Sequence, residues 1–244
     1  MKLMFIRHGE PDYSIDSLTE RGWKEADILA DKLVNVPMDY IYVSPLGRAK
    51  DTARATLSAL GREAVECPWL QEFPVRINRP DKPEGVQSVS WDWIPQDWTG
   101  YDYFYDMEHW TEHPLFVKAG VREEVEMIDD NLDRLIATHG YKRDGRIYRA
   151  VKPNNDTIVF FCHFAVTSVM LGHLLGISPM VLWHGTCAAP TSITTVVTEE
   201  RREGIASFRM TGFGDVSHLY AAGVEPSFAA RFCECYSNAD QRHD

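Results

Sequence analysis

The apolar run Leu3-Met4-Phe5-Ile6 stops without a spacer at Arg7-His8-Gly9-Glu10, and a second run, Thr157 to Cys162, stops the same way at His163. Short, uninterrupted apolar runs of this kind mark strands buried on both faces, the usual state of a parallel sheet packed between helices. Parallel strands require crossover connections, so the chemistry-bearing residues that end them gather at the carboxyl edge of one sheet. A histidine beside an arginine at such an edge sets a nitrogen nucleophile next to a fixed positive charge, an arrangement suited to phosphoryl groups.

The stretches between the runs supply the helices. Ser17-x-x-Glu20 reads as a capping box, and Trp23, Ala26, Ala30 and Leu33 follow at helical spacing before Pro37. Tyr40 to Val43 predicts a second short strand ended by Ser44-Pro45. Ala49, Ala53, Thr56, Leu57 and Leu60 predict a second helix ended by Gly61, with Arg48 on its first turn. Val121, Val125, Ile128, Leu132, Leu135 and Ile136 mark a long amphipathic helix stopped at Gly140, and Val166 to Leu175 with Gly176 the helix after His163. Ile193 to Thr198 and Ile205 to Met210 flank Glu199 to Gly204 as an antiparallel hairpin. Strands alternating with helices in this way predict an α/β fold, a three-layer α/β/α sandwich around a mostly parallel central sheet. His8, Arg48 and His163 then share one sheet edge.

Length and composition fit a single domain over residues 1–244, since 244 residues with 44% hydrophobic content are ample for one large core. The formal net charge of -11, with no basic patch set apart, argues against nucleic acid as a partner. Met1-Lys2 runs straight into a strand and no long apolar segment occurs, so neither a signal peptide nor a membrane span is expected and the chain reads as cytoplasmic. Its five cysteines, Cys67, Cys162, Cys187, Cys233 and Cys235, show no paired framework and are expected to be reduced. Cys233-x-Cys235 is a poor metal or redox pair on its own. Lys142, Arg143, Arg146, Arg149 and Lys152 read as a solvated connection.

One segment breaks the alternation. From Arg76 to His113 neither period is clean, and Trp91, Trp93, Trp98 and Trp110 crowd together with Tyr101, Tyr103, Phe104, Tyr105 and His109. Irregular insertions of this length serve as lids or binding loops, so residues 73–117 are read as a cap over the sheet edge. The other reading has the aromatics simply packing on the body.

In their order and spacing the motifs resemble those of the histidine phosphatases related to cofactor-dependent phosphoglycerate mutase. The residues that carry the resemblance are Arg7-His8-Gly9-Glu10, Leu18-Thr19-x-x-Gly22 with Ala26, Ser44-Pro45-Leu46-x-Arg48-Ala49-x-x-Thr52-Ala53, Glu72 after Leu70, Cys162-His163 and Asp215-Val216-Ser217-His218-Leu219. The resemblance spans nearly the whole chain and implies the phosphoglycerate mutase-like fold. It implies that His8 attacks phosphorus to form a phosphohistidine and that Arg7 and Arg48 clamp the phosphoryl oxygens. His163 would donate to one of those oxygens, helped by the amides of the helix that follows, which places Phe164 in the phosphate-binding set. Glu72 would protonate the leaving oxygen and then deprotonate water, with Glu84, Asp92 and Asp102 as alternative acids. No metal and no cofactor are implied, because the arginines and histidines supply the charge. His218 belongs to the terminal motif and reads as structural.

Two positions depart from the pattern. Pro11 stands where a threonine often follows Arg-His-Gly-Glu, and Phe164 where a small residue commonly follows the second histidine. The mutases of this family follow their acid with a Gly-rich stretch and adjacent arginines, which Phe73-Pro74-Val75-Arg76-Ile77-Asn78-Arg79-Pro80 lacks. The resemblance therefore favours hydrolysis of a phosphate monoester over phosphoglycerate mutase activity or an inactive phosphate-binding module. A small phosphorylated substrate is implied. Arg76, Arg79 or Lys82 are candidates to hold a second anion, and the cap aromatics to hold a sugar, a base or an apolar group. Nothing in the sequence sets an oligomeric state.

Overall fold

Leu3 to Ile6 and Ile158 to Cys162 are all buried, and the two runs pair in parallel at the centre of one eight-stranded sheet. This is the arrangement in a computed structural model that describes residues 1–228 and 237–238; Cys233 and Cys235 lie outside the described residues. In chain order the elements are β1 (Lys2–Arg7), β2 (Pro11–Asp12), β3 (Ser17–Leu18), α1 (Glu20–Leu33), β4 (Tyr40–Val43), α2 (Gly47–Leu60), β5 (Val65–Glu66), β6 (Arg76–Ile77), β7 (Ser88–Val89), α3 (Pro95–Trp98), α4 (Pro114–Ala119), α5 (Val121–Thr138), β8 (Tyr141–Asp144), β9 (Ile147–Ala150), β10 (Thr157–Cys162), α6 (Phe164–Leu175), α7 (Pro179–Gly185), β11 (Ile193–Arg202), β12 (Ile205–Asp215) and α8 (Ser217–Ala221).

The sheet runs β5-β4-β10-β1-β11-β12-β9-β8. It is parallel from β5 to β1 and antiparallel from β1 onward, so the sheet is mixed, with the sequence-predicted parallel ladder forming one half. Alternation along the central strands divides the core into two layers. Leu3, Phe5, Ile158 and Phe160 join Val125, Ile128, Leu132 and Ile136 of α5 and Val169 of α6 on one face. Met4, Ile6, Val159 and Phe161 join Leu29 and Leu33 of α1 and Ala53 of α2 on the other. Among the described residues no helix is long and apolar enough to cross a membrane.

Tertiary pairing moves several predicted boundaries. Ser17 belongs to β3, and its hydroxyl donates to Asp51 Oδ2 at 2.5 Å. Thr19 caps α1 instead, accepting from the Gly22 amide at 3.0 Å, because the β2–β3 pairing holds Ser17 in extended backbone. The β11–β12 hairpin extends beyond both predicted strands, since β11 also pairs with β1 and β12 with β9. The basic cluster at 142–152 is the β8–β9 hairpin at the sheet edge rather than a connection. Its Arg149 bonds Asp144 at 2.7 Å and its Arg143 bonds the Tyr148 hydroxyl at 3.0 Å.

Within residues 73–117, β6 and β7 form a short hairpin. Trp93, Trp98, Phe104, Trp110 and Phe116 are buried in the same cluster as Met180 and Trp183 of α7. The insertion is thus held by aromatic burial rather than by a periodic face, which is why neither period showed in its sequence. Arg79 is 5% exposed and grips Asp81 through two hydrogen bonds of 2.9 and 2.6 Å, with Asp92 at 3.2 Å. It neutralises carboxylates of its own segment and is not available for a second substrate anion.

Two positions outside the central sheet generate tests. A Cβ on Gly22 would stand 2.2 Å from the Glu10 carbonyl oxygen, so Gly22→Ala is expected to destabilise by about 2–3 kcal/mol, measured by urea denaturation. His173 lies 3.1 Å from Asp129 and 2.9 Å from Asp133. Burial opposes its charge, but hydrogen bonds and attraction from the two carboxylates prevail and raise its pKa from 6.5 to about 9. A raised pKa stabilises the fold fully below pH 6.5 and less as pH climbs through about 9. The stability gap between wild type and His173→Asn should therefore narrow over that window.

Candidate active site

The register of β1 and β10 sets Arg7 opposite Cys162, so the next residues, His8 and His163, emerge side by side with ring centroids 5.1 Å apart. Backbone bonds fix the first of them. The His8 amide donates to the Cys162 carbonyl at 3.1 Å, and the Thr191 amide donates to the His8 carbonyl at 3.2 Å. Thr52 on α2 accepts from the Gly9 amide at 2.9 Å and donates to the Arg48 carbonyl at 2.8 Å. One hydroxyl thus ties the segment carrying His8 to the helix carrying Arg48.

His8 is 2% exposed. Its Nδ1 lies 2.8 Å from the Gly9 carbonyl oxygen, which accepts only, so Nδ1 carries the hydrogen and Nε2 keeps its lone pair. Burial, and then the charges of Arg7 and Arg48, push the His8 pKa well below the ordinary histidine value. The imidazole is neutral with its nucleophilic nitrogen unprotonated.

The arginines are held from different sides. Arg7 Nη1 donates to the Ala188 carbonyl at 2.5 Å, and its guanidinium faces the Phe164 ring at 5.7 Å. Arg48 Nη1 donates to Asp16 Oδ1 at 2.6 Å, and its guanidinium faces the Tyr13 ring at 5.4 Å. Asp16 adopts a left-handed φ of 48°, a conformation that aspartate tolerates better than most residues. From there its other oxygen accepts from the Gly47 amide at 2.7 Å. A single carboxylate therefore serves the start of α2 and orients the arginine one residue later.

His163, wholly buried, pairs through Nε2 with Ser44 Oγ at 2.7 Å, and Ser44 Oγ accepts from the Leu46 amide at 3.3 Å. The Nδ1 of that imidazole has no hydrogen-bond partner among the described residues. Burial, followed by the charges of the His8 and Arg48 neighbourhood, pushes the His163 pKa well down. The result is a second neutral imidazole beside that of His8.

Glu72 meets the start of α6. Its Oε1 accepts from the amides of Phe73, Ala165 and Val166 at 2.9, 3.0 and 3.1 Å. Burial outweighs these bonds and the nearby Arg7 and Arg48, so the Glu72 pKa is raised. Two of the helix amides expected to assist a phosphate are thereby committed to the carboxylate. The alternative acids sit elsewhere: Asp92 is exposed and paired with Arg79, and Glu84 and Asp102 are exposed. Phe164 contributes its ring to Arg7.

His218 works at one remove. Thr191 Oγ1 donates to the Pro190 carbonyl at 2.7 Å, so His218 Nε2, at 3.1 Å, donates to it. Burial lowers the His218 pKa to about 4. His218 thus buttresses Thr191, held at a left-handed φ of 58°, whose amide fixes His8. Sequence reasoning missed the work of Asp16, Thr191 and the Ala188 carbonyl. Ser44 and Thr52 stood inside a quoted motif without a role.

A model of the histidine phosphatase superfamily (branch 1) matches residues 3–211. Phosphoserine phosphatase 1 of Hydrogenobacter thermophilus is 25% identical over 222 residues, covering 86% of this chain and 93% of its own length. Among solved structures, a phosphoserine phosphatase variant from Entamoeba histolytica in complex with phosphoserine superposes with a TM-score of 0.59 at 23% identity, over 89% of this chain and 98% of that one. The alpha-ribazole phosphatase from Shigella flexneri gives 0.55 at 21% identity, over 88% and 96%. At these identities the two structures speak to the fold.

Ser44→Ala leaves a buried imidazole nitrogen without its partner. It is expected to cost about 1–3 kcal/mol in urea denaturation and to weaken binding of inorganic phosphate in calorimetry.

Proposed function

The chain belongs to the histidine phosphatase superfamily, branch 1, as a phosphoric monoester hydrolase, and from that premise we propose that it acts through a phosphohistidine formed on His8. The observation that carries the reading is the His8 tautomer, with Nδ1–H tied to Gly9 and Nε2 left unprotonated by burial and the charges of Arg7 and Arg48. Nε2 donates its lone pair to phosphorus while the bond to the leaving oxygen breaks, and Glu72 transfers its proton to that oxygen. Because three amides occupy Oε1, the proton to be transferred resides on Oε2. Arg7, Arg48 and the His163 Nδ1–H stabilise the equatorial oxygens as charge gathers on them. Water then attacks phosphorus, Glu72 takes its proton, and phosphate departs from a neutral His8.

Residues 73–117 serve in this reading as the cap. Trp91 Nε1 donates to the Phe73 carbonyl at 3.2 Å and so fastens the insertion to the residue beside Glu72. The substrate is a small phosphorylated molecule, and the name of the Hydrogenobacter relative makes phosphoserine an ester to assay early. Five cysteines whose sequence spacing shows no disulfide framework support a reducing, cytoplasmic setting. The net charge of -11 disfavours nucleic acid as substrate. Two guanidinium groups supply the charge that a metal supplies in other phosphatases, so activity should persist in chelator.

His8→Ala is expected to abolish phosphate release, and alkaline quench of the wild type with radiolabelled ester should trap a phosphoryl enzyme that the variant lacks. Undiminished release from His8→Ala would sink the proposal. Glu72→Gln should lower kcat for alkyl esters by about 10²–10⁴-fold. Since burial raises the Glu72 pKa, its protonated form persists to higher pH than that of an ordinary glutamate and is lost as pH climbs. Wild-type kcat/KM should fall on that alkaline limb, and the limb should be absent from Glu72→Gln.

A further inference from the structure

The two guanidinium groups of the site each face an aromatic ring, Arg7 against Phe164 and Arg48 against Tyr13. A third ring follows: Trp91 meets Phe164 edge-on at 6.5 Å between centroids. Its indole nitrogen is bonded to the Phe73 carbonyl, and the Phe73 amide is bonded to Glu72. An acid that protonates a leaving oxygen must lie within hydrogen-bond reach of it. Whatever is attached to that oxygen therefore emerges beside Trp91. Next to Arg48, on the turn between β2 and β3, Tyr13 and Ile15 are 66% and 68% exposed and form an apolar surface.

Charge around the rim points the same way. A phosphorylated hydroxy acid or amino acid carries a carboxylate that calls for a cation of its own. The insertion's buried arginine, Arg79, is spent on Asp81 and Asp92, Lys82 also acts on Asp81, and Arg76 donates to the Gln87 carbonyl at 3.2 Å from an exposed position. Arg48 itself is bonded to the carboxylate of Asp16.

We propose that this site selects a phosphomonoester whose leaving group is uncharged and presents an aromatic or other apolar face, recognised by Trp91 and Tyr13. The proposal rests on the phosphatase reading above and deepens it by naming the substrate class. A flat apolar group gains dispersion and burial against these rings, while the described arginines of the insertion already have partners.

The test compares esters of similar leaving-group basicity: 2-phenylethyl phosphate and ethyl phosphate, with phosphoserine and 3-phosphoglycerate alongside. The expected kcat/KM for the phenylethyl ester exceeds that for the ethyl ester by about tenfold or more and exceeds those of both carboxylate-bearing esters. Trp91→Ala should collapse the phenylethyl-to-ethyl ratio toward one. Tyr13→Ala, at an exposed position that folding does not depend on, should lower the ratio as well. A preference for phosphoserine or 3-phosphoglycerate, or a ratio unchanged in both variants, would overturn the assignment while leaving the phosphatase reading intact. Failure of the wild type to hydrolyse any of the four would remove both.

Discussion

The parallel pairing of β1 with β10 is the constraint on which the rest of the molecule depends. It places Arg7 across from Cys162, and the two histidines leave the sheet together because each is the next residue on its strand. The same pair of strands divides the core, sending Leu3, Phe5, Ile158 and Phe160 to one helical layer and Met4, Ile6, Val159 and Phe161 to the other. Shifting the register of a parallel pair by one residue would reverse both layers and separate the histidines. Fold and chemistry are therefore specified by one set of hydrogen bonds.

Positive charge is gathered at this edge in a chain whose net charge is -11. Burial makes that concentration effective, because low polarisability around Arg7 and Arg48 strengthens their action on an incoming phosphoryl group. The same burial keeps His8 and His163 neutral and raises the pKa of Glu72. In the proposed mechanism three groups that would compete for charge in water are thus sorted into nucleophile, donor and acid by their surroundings.

The sequence disclosed the parts of this architecture that depend on local pattern. Buried runs and helical stripes located β1, β4, β10, α1, α2 and α5, and motif spacing picked out the two histidines, the two arginines and Glu72. Features set by distant contacts were hidden. Ser17 and Thr19 are both credible caps, and only the β2–β3 pairing decides for Thr19. Asp16 acquires its work from a left-handed turn that brings it to Arg48 across 32 positions of sequence. The carbonyls of Ala188 and Gly9 hold Arg7 and His8, and a backbone acceptor leaves no trace in residue identity. In the insertion, aromatic rings bury without periodicity, and Arg79, a plausible anion ligand by composition, is consumed by its neighbours Asp81 and Asp92.

The contact between Gly9 and Gly22 has a dynamic consequence. A Cβ on Gly9 would stand 2.8 Å from the Gly22 carbonyl oxygen, so the nucleophile segment and α1 touch backbone to backbone with no side chain between them to yield. His8 and α1 are consequently held together at this contact, with no side chain there whose rotation could loosen it. The conformational entropy of placing the nucleophile is surrendered once, when the chain folds, and not again at each encounter with a substrate.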